Sequence, residues 1–166
     1  TILIVDDRLD NLKLLTTFLR QRGFEIMVAQ SGEETLKHVE RIVPDIILLD
    51  VMMPGIDGFE TCRMLKQQGS IKETPVIFMT ALSDTVDKVK GFEMGAVDYL
   101  TKPLQHEEVL ARVNAHLTIR KYQRQLQDQN DLLQQKNELL EKQKRELKES
   151  EERFHGLSEA TFEGIL

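Results

Sequence analysis

Short apolar runs alternate with segments of helical periodicity along the first two thirds of the chain. The apolar runs predict five strands, at residues 1–5, 24–29, 45–49, 75–80 and 97–100. Apolar residues at helical spacing predict helices over 10–22, 31–43, about 58–68 and about 84–94, and a further helix from near Gln105. Strands that are apolar almost throughout are typical of parallel sheets covered on both faces. The predicted fold is α/β, with a five-stranded, parallel, doubly wound sheet.

The last third of the chain has a different pattern, because residues 119–154 lack glycine and proline and carry apolar residues seven positions apart. If these are d positions of a heptad, the a positions are polar: Gln123, Asn130, Asn137, Lys144 and Glu151. Leucine at d with asparagine at a favours a parallel two-stranded coiled coil. We therefore predict a homodimer whose seam contains Leu126, Asn130, Leu133, Asn137, Leu140, Leu147 and Phe154. The alternative is a single solvated helix stabilised by charge pairs between turns.

Composition and charge narrow the class of protein. The chain has 166 residues and a net charge of −6, which argues against binding to nucleic acid or to an anionic membrane surface. No apolar run approaches the length of a membrane span and no signal-peptide pattern is present, so we expect a cytoplasmic location. Cys62 is the only cysteine, which excludes an intramolecular disulfide. The last residues look like the middle of an element, and we expect a piece of a longer protein.

The residues that follow the predicted strands carry the candidate chemistry. In open parallel sheets, ligands bind at the carboxyl ends of the strands. Asp6 and Asp7 follow the first strand, Asp50 the third, Thr80 and Ala81 end or follow the fourth, and Lys102 and Pro103 follow the fifth. A single aspartate after an apolar run is usually a turn residue. Three carboxylates, a hydroxyl and an amine on one edge are instead typical of a functional site.

Three carboxylates on one edge repel each other unless a cation neutralises them. Carboxylate and water oxygens suit Mg²⁺, and we therefore predict a magnesium site. A free oxygen of Asp50 could then attack phosphorus and form an acyl phosphate. Such a transfer depends mainly on positioning and on neutralising the phosphoryl oxygens. Lys102 could contact one of these oxygens, and the Thr80 hydroxyl together with the Ala81 backbone N–H could contact another.

Four motifs resemble the receiver domain of response regulators, the phosphoacceptor module of two-component signalling. They are ILIVDD at 2–7, DIILLDVMMPGIDG at 45–58, VIFMTA at 76–81 and DYLTKP at 98–103. The resemblance covers residues 1 to about 118 and implies a flavodoxin-like fold. It also implies a signalling switch that accepts a phosphoryl group from a histidine kinase or a histidine phosphotransfer protein. Such a fragment is not an enzyme beyond its own phosphorylation and dephosphorylation, although the full-length protein could include a kinase or another output enzyme.

The resemblance implies a role for each matching position. These roles are phosphoacceptor for Asp50, switch hydroxyl for Thr80, coupled aromatic for Tyr99, phosphate binding for Thr80, Ala81 and Lys102, and Mg²⁺ binding for Asp6, Asp7, Asp50 and the backbone carbonyl of Met52. Pro103 stands where the family has a cis peptide bond after lysine. Met52 and Leu82 are apolar where polar side chains could assist an attacking water, so we expect slow self-dephosphorylation.

The resemblance also suggests a division of the chain. We assign residues 1–118 to the receiver domain, 119–154 to a coiled-coil linker continuous with the last receiver helix, and 155–166 to the start of a further domain. The stretch SEERFHGLSEATFEGIL at 150–166 resembles the lead-in and first strand of a PAS sensor domain.

Two alternative functions stay open. An aspartyl-phosphate hydrolase of the haloacid dehalogenase type would use the same nucleophile and metal. Met52, however, stands where that chemistry requires a second acid. A passive coiled-coil scaffold with an inert α/β head would need no chemistry at the strand ends.

Overall fold

The computed structural model describes residues 1–69, 71–81 and 85–163, and the chain divides into two compact units, Thr1–Arg120 and Lys121–Leu166. Strands and helices follow in the order that the hydrophobic pattern predicts. They are β1 (Ile2–Val5), α1 (Leu9–Gln21), β2 (Ile26–Ala29), α2 (Gly32–Val39), β3 (Ile46–Asp50), α3 (Gly58–Gln67), β4 (Val76–Thr80), α4 (Thr85–Glu93), β5 (Asp98–Thr101) and α5 (His106–Glu163).

The five strands form one parallel sheet in the order β2-β1-β3-β4-β5, which confirms the predicted strand number and direction. Strand β3 lies in the centre. Asp50 at its end is paired with Met79 of β4, and Thr80 is paired with Thr101 of β5. Because this register aligns the carboxyl ends, the residues that follow β1, β3, β4 and β5 meet at the same edge of the sheet.

The buried strand residues divide into two hydrophobic clusters. One cluster combines Leu3, Val5, Ile47 and Leu49 with Val39 of α2 and with Phe59, Cys62 and Leu65 of α3. The other combines Ile2, Ile4, Ile46 and Leu48 with Leu12, Leu15 and Leu19 of α1 and with Val109 and Val113 of α5. Successive side chains of a strand point to opposite faces. Each face of β1 and β3 therefore has its own apolar packing, which explains why these strands are apolar throughout.

Helix α2 is shorter than predicted, because it ends at Val39 and not near residue 43. Its first turn is capped by a side chain, since Ser31 Oγ accepts the Glu34 N–H at 3.1 Å. After the helix, the N–H groups of residues 41 and 42 both donate to the His38 carbonyl at 3.1 Å. A residue before proline disfavours the helical conformation, and Pro44 follows at once. The helical periodicity of 40–43 is therefore overridden by the turn that leads into β3.

Helix α5, described as far as Glu163, continues past Phe154, the predicted end of the coiled-coil segment. Residues 155–163 are therefore helical, and the helix includes Gly156. A single glycine costs helix propensity without ending a helix. Across the ranges that the structure describes, no helix combines the length and apolar character that crossing a membrane requires.

Candidate functional site

Asp50 is the last residue of β3 and is almost completely buried, with 3% of its surface exposed. The Met52 backbone N–H donates to Asp50 Oδ1 at 3.2 Å. The chain then turns, and α3 begins at Gly58. The Asp57 carboxylate caps this helix by accepting the Glu60 N–H at 2.8 Å. The turn and the capped helix thus hold the Asp50 carboxylate at the carboxyl edge of the sheet.

Asp6 and Asp7 join Asp50 to form an acidic cluster. One carboxylate oxygen from each of the three residues lies within 4.8 Å of the other two. Asp6 is fully buried, and its oxygens accept the Arg8 N–H at 2.9 Å and the Asn11 side-chain amide at 2.9 and 3.0 Å. These bonds orient the Asp6 carboxylate. Asn11 was not predicted as a site residue, because its only signal in the sequence is an amide near the start of a helix that follows the two acids.

Lys102 contacts the same acids from the segment after β5. Its Nζ lies 2.7 Å from Asp50 Oδ2 and 2.9 Å from Asp6 Oδ2. Burial raises the pKa of Asp50, and the charge of Asp6 adds to this, while the hydrogen bond from Lys102 opposes both. Burial alone would lower the pKa of Lys102, but its hydrogen bonds to Asp50 and Asp6 outweigh burial and raise it. The ammonium group therefore balances part of the negative charge of the cluster.

Thr80 and the residues around it complete the edge of the sheet. Thr80 ends β4 and is 5% exposed, and its carbonyl accepts the Lys102 N–H at 2.8 Å. Ala81 follows and is exposed. The Lys102–Pro103 peptide bond is cis, as predicted. Leu82, which the sequence analysis placed beside the site, lies outside the described residues.

Tyr99 and Met52 occupy more peripheral positions. The Tyr99 ring makes an edge contact with Phe92 at 6.2 Å between centroids, and the Arg112 guanidinium lies 5.9 Å from its centroid. Arg112 also donates to Asp98 at 2.7 Å. These contacts place Tyr99 on the face formed by α4, β5 and α5. The Met52 side chain is 63% exposed, so its contribution to the Asp50 environment is a backbone hydrogen bond.

The second unit presents its apolar side chains to solvent in the single chain. The predicted d positions Leu126, Leu133, Leu140, Leu147 and Phe154 are all more than half exposed. Leu132 and Leu139 are exposed as well, and they lie one position before two of the d leucines. These two leucines were not among the predicted seam residues. Large apolar side chains exposed at regular intervals mark a surface that a partner can cover.

Fold and site together define a phosphoacceptor signalling domain: a buried strand-end aspartate, two further acids and a lysine at one edge of a parallel sheet. Residues 2–114 match the family described as the response regulator receiver domain. The chain belongs to this family, which confirms the resemblance inferred from its motifs.

Named relatives agree with this assignment. The chain is 46% identical over 116 residues to the alkaline phosphatase synthesis transcriptional regulatory protein PhoP of Bacillus subtilis, covering 70% of this chain and 48% of PhoP. It is 45% identical over 114 residues to the response regulator PleD of Caulobacter vibrioides, covering 69% of this chain and 25% of PleD. The chain thus spans about half, or less, of the length of these curated relatives.

A solved structure shows the same fold. The Francisella response regulator 1452 receiver domain has a TM-score of 0.66 and 35% sequence identity to this chain. The comparison covers 70% of this chain and 95% of that domain. The match therefore accounts for nearly all of the solved domain and leaves the last third of this chain without a counterpart in it.

Proposed function

We propose that this chain is a phosphoacceptor switch in a two-component phosphorelay. A carboxylate oxygen of Asp50 attacks the phosphorus of a phosphohistidine on a histidine kinase or a histidine phosphotransfer protein. An O–P bond forms, the N–P bond breaks, and its electron pair stays on the imidazole. The observation that carries the proposal is the geometry at Asp50, a buried carboxylate 2.7 Å from Lys102 Nζ and gathered with Asp6 and Asp7 within 4.8 Å.

The acidic cluster fits Mg²⁺. Carboxylate oxygens are the ligands that this ion prefers, usually alongside several waters, and Asp6, Asp7 and Asp50 each offer one oxygen within a span of 4.8 Å. The backbone carbonyl of Met52 is the fourth proposed protein ligand. When bound, the ion supplies positive charge that offsets the repulsion among the acids and the charge of the phosphoryl group.

The remaining groups at the edge bind the phosphoryl oxygens. The Lys102 ammonium, which now bridges Asp50 and Asp6, would contact one phosphoryl oxygen and so keep a charge partner throughout the transfer. The Thr80 hydroxyl and the Ala81 backbone N–H would donate to another. Donors positioned in a buried site before the reaction need little reorganisation during it.

Occupancy of the site would be communicated to the face formed by α4, β5 and α5. The Thr80 hydroxyl moves towards the phosphoryl group, and the Tyr99 side chain follows into the space that Thr80 leaves. The contacts of Tyr99 with Phe92 and Arg112 support this route, because a change in the Tyr99 rotamer alters both. Asp98 then responds through its ion pair with Arg112.

The tail would join two copies of the chain. We assign residues 1–118 to the receiver, 119–154 to a parallel coiled coil and 155–166 to the start of a PAS-like domain. The exposed leucines at intervals of seven support pairing with a second copy. The two hydrophobic clusters of the first unit support a doubly wound sheet.

The test is phosphorylation by acetyl phosphate with Mg²⁺, followed by intact-mass measurement. The wild-type chain should gain one phosphoryl group, which alkaline hydroxylamine removes, and Asp50→Asn should gain none. Asp57→Asn is the matched control, because asparagine also caps helices and position 57 lies outside the acidic cluster. Equal labelling of wild type and Asp50→Asn, or no labelling of either chain in the folded state, would contradict the proposal.

A further inference from the structure

The polar a positions of the tail change in character along the helix. Gln123, Asn130 and Asn137 are uncharged, whereas Lys144 and Glu151 are charged. In a parallel homodimer in register, each a residue faces the same residue of the second copy. The amide layers can then form hydrogen bonds across the seam. The layers at 144 and 151 instead bring two ammonium groups or two carboxylates together.

We infer that the tail pairs with a second copy of this chain in register through residues 119–140, and that like charges at Lys144 and Glu151 weaken the pairing of the segment that follows. This inference rests on the homodimer of the proposed function. It adds the register of the seam and the place where the two helices separate most easily.

The first part of the seam is self-complementary. Asparagine at an a position specifies register in a two-stranded coiled coil, and Asn130 and Asn137 occupy successive a positions. Flanking charges agree with the same register. Lys136 is a g residue and Glu141 the following e residue, and in a parallel pair a g side chain faces the next e side chain of the other helix. Lys136 of one copy therefore meets Glu141 of the second copy, an attractive pair.

The second part of the seam has its apolar layer between two like-charged layers. Leu147 is the d residue between positions 144 and 151, and it is 62% exposed in the single chain. Lys144 has a partner within its own helix, since its Nζ lies 3.2 Å from Glu141 Oε1. Both side chains of that pair are about two-thirds exposed or more. Exposed pairs contribute little, and this one offsets only part of the repulsion across the seam.

A shift of seven residues is the competing arrangement. It keeps leucine opposite leucine and sets Lys144 opposite Glu151, which is attractive. However, it places Asn137 opposite Lys144, and it leaves Phe154 of one copy opposite the polar Thr161 of the second copy. The two arrangements respond differently to charge reversal, so variants at 144 and 151 distinguish them.

The first experiment uses the full chain with Lys144→Glu or Glu151→Lys. Each variant homodimer keeps two like-charged layers in register, so its Kd should stay within about threefold of the wild-type Kd. A mixture of the two variants has opposite charges at both layers. Its heterodimer, measured by native mass spectrometry, should be about tenfold tighter than the geometric mean of the two homodimers. Changes within each helix cancel in this comparison, because the heterodimer contains one helix of each kind.

Three other results of this experiment would each contradict one part of the proposal. A wild-type homodimer much tighter than both variant homodimers indicates the shifted register and overturns the inference. Random mixing of the two variants shows that neither residue 144 nor residue 151 contacts the corresponding residue of the second copy, and this result also overturns the inference. A wild-type chain that stays monomeric overturns the homodimer itself, and phosphorylation of Asp50 is measured independently of all these outcomes.

A second experiment tests the weak segment by oxidative crosslinking at d positions. Leu133→Cys should crosslink several-fold faster than Leu147→Cys under the same conditions. Adding Lys144→Asn and Glu151→Asn to the Leu147→Cys chain should remove most of this difference. The native Cys62 is fully buried, and Cys62 alone provides the background rate. Equal rates at 133 and 147 without the asparagine substitutions would overturn the division of the seam.

Discussion

Gly58 packs directly against the backbone of Asp50. A β-carbon at position 58 would overlap the Asp50 carbonyl oxygen and would lie 2.7 Å from Val51 Cα. The Gly58 N–H also donates to the Val51 carbonyl at 2.9 Å. The start of α3 therefore packs directly on the end of β3. The position of Asp50, the proposed phosphoacceptor, depends on the absence of a side chain at Gly58.

Gly58→Ala should destabilise the first unit and disturb the site. We expect the free energy of unfolding in urea to fall by about 2 kcal/mol or more, because the backbone must move to admit the methyl group. Labelling by acetyl phosphate should slow as well. Gly69→Ala is the matched control, since a β-carbon there meets no atom within 4 Å. That change should stay within about 1 kcal/mol of wild type, and equal effects at the two glycines would contradict the packing argument.

Lys102→Met should make stability depend more strongly on Mg²⁺. Without the ammonium, the buried Asp6 and Asp50 carboxylates lose a hydrogen-bonded charge partner, and unfolding in urea with EDTA should become easier by about 2–3 kcal/mol. Adding Mg²⁺ should recover more stability in the variant than in wild type, because the ion then replaces the missing charge. Lys72→Met, at an exposed position, is the control. Identical Mg²⁺ responses of the two variants would exclude the proposed metal site.

The site residues at the ends of the strands could be predicted from the sequence, whereas a residue that orients them could not. Asp6, Asp50, Thr80 and Lys102 each follow or end an apolar run, and parallel topology requires such positions to meet. Asn11 could not be predicted in the same way. Its amide is oriented towards Asp6 by the path of α1 after the turn, and an asparagine near a helix start is common without any ligand role.

The buried position of Arg120 is a second feature that could not be predicted from the sequence. Arg120 lies between Ile119 and Lys121, at the start of a stretch rich in polar residues whose pattern is that of a solvated helix. In the structure Arg120 is 7% exposed and donates to the backbone carbonyls of Pro44, at 3.0 Å, and Asp45. Residues 44 and 45 lead into β3, and such a long-range contact has no periodic signal. Hydrophobic periodicity indicates which face of a helix or strand is apolar. A single buried arginine that donates hydrogen bonds to carbonyls distant in sequence does not change that periodicity.

The Cys62 thiol should be unreactive in the folded protein. Burial raises the pKa of Cys62 to about 11, and its Sγ donates to the Met94 carbonyl at 3.4 Å. Since the thiolate is the nucleophile, the raised pKa of Cys62 leaves less thiolate at pH 8 and should slow alkylation by about a hundredfold. Iodoacetamide should therefore label the native chain slowly and the urea-unfolded chain fast. Rapid labelling of the native chain would show that Cys62 is accessible.

The side chain at position 52 should control the lifetime of the acyl phosphate. Met52 is exposed beside Asp50 and cannot orient an attacking water. The phosphorylated wild type should therefore lose its phosphoryl group over minutes or longer, and Met52→Gln should shorten this lifetime several-fold. Met52→Leu, which stays apolar, should leave it unchanged. A wild-type lifetime of only seconds would contradict the prediction.

Asp98→Asn should remove a pH-dependent contribution to stability. Burial alone would raise the pKa of Asp98, but hydrogen bonds from His116 at 3.0 Å and Arg112 at 2.7 Å outweigh it and lower the pKa. As the pH falls, the unfolded chain therefore binds a proton at this carboxyl before the folded chain does. The stability that Asp98 contributes is fully present above the ordinary carboxyl pKa, and it is lost as the pH falls through the lowered pKa of the folded chain. At pH 7 the variant should be less stable by about 1 kcal/mol.

The stability difference between wild type and Asp98→Asn should disappear on acidification, because protonated Asp98 is no longer an anion that accepts from the Arg112 guanidinium. Urea unfolding of both chains, measured from neutral pH downwards, gives this difference directly. Asp128→Asn, on the exposed tail helix, should leave unfolding of the first unit unchanged at every pH. A difference that stays constant, or grows as the pH falls, would mean that Asp98 contributes through packing and not through its charge.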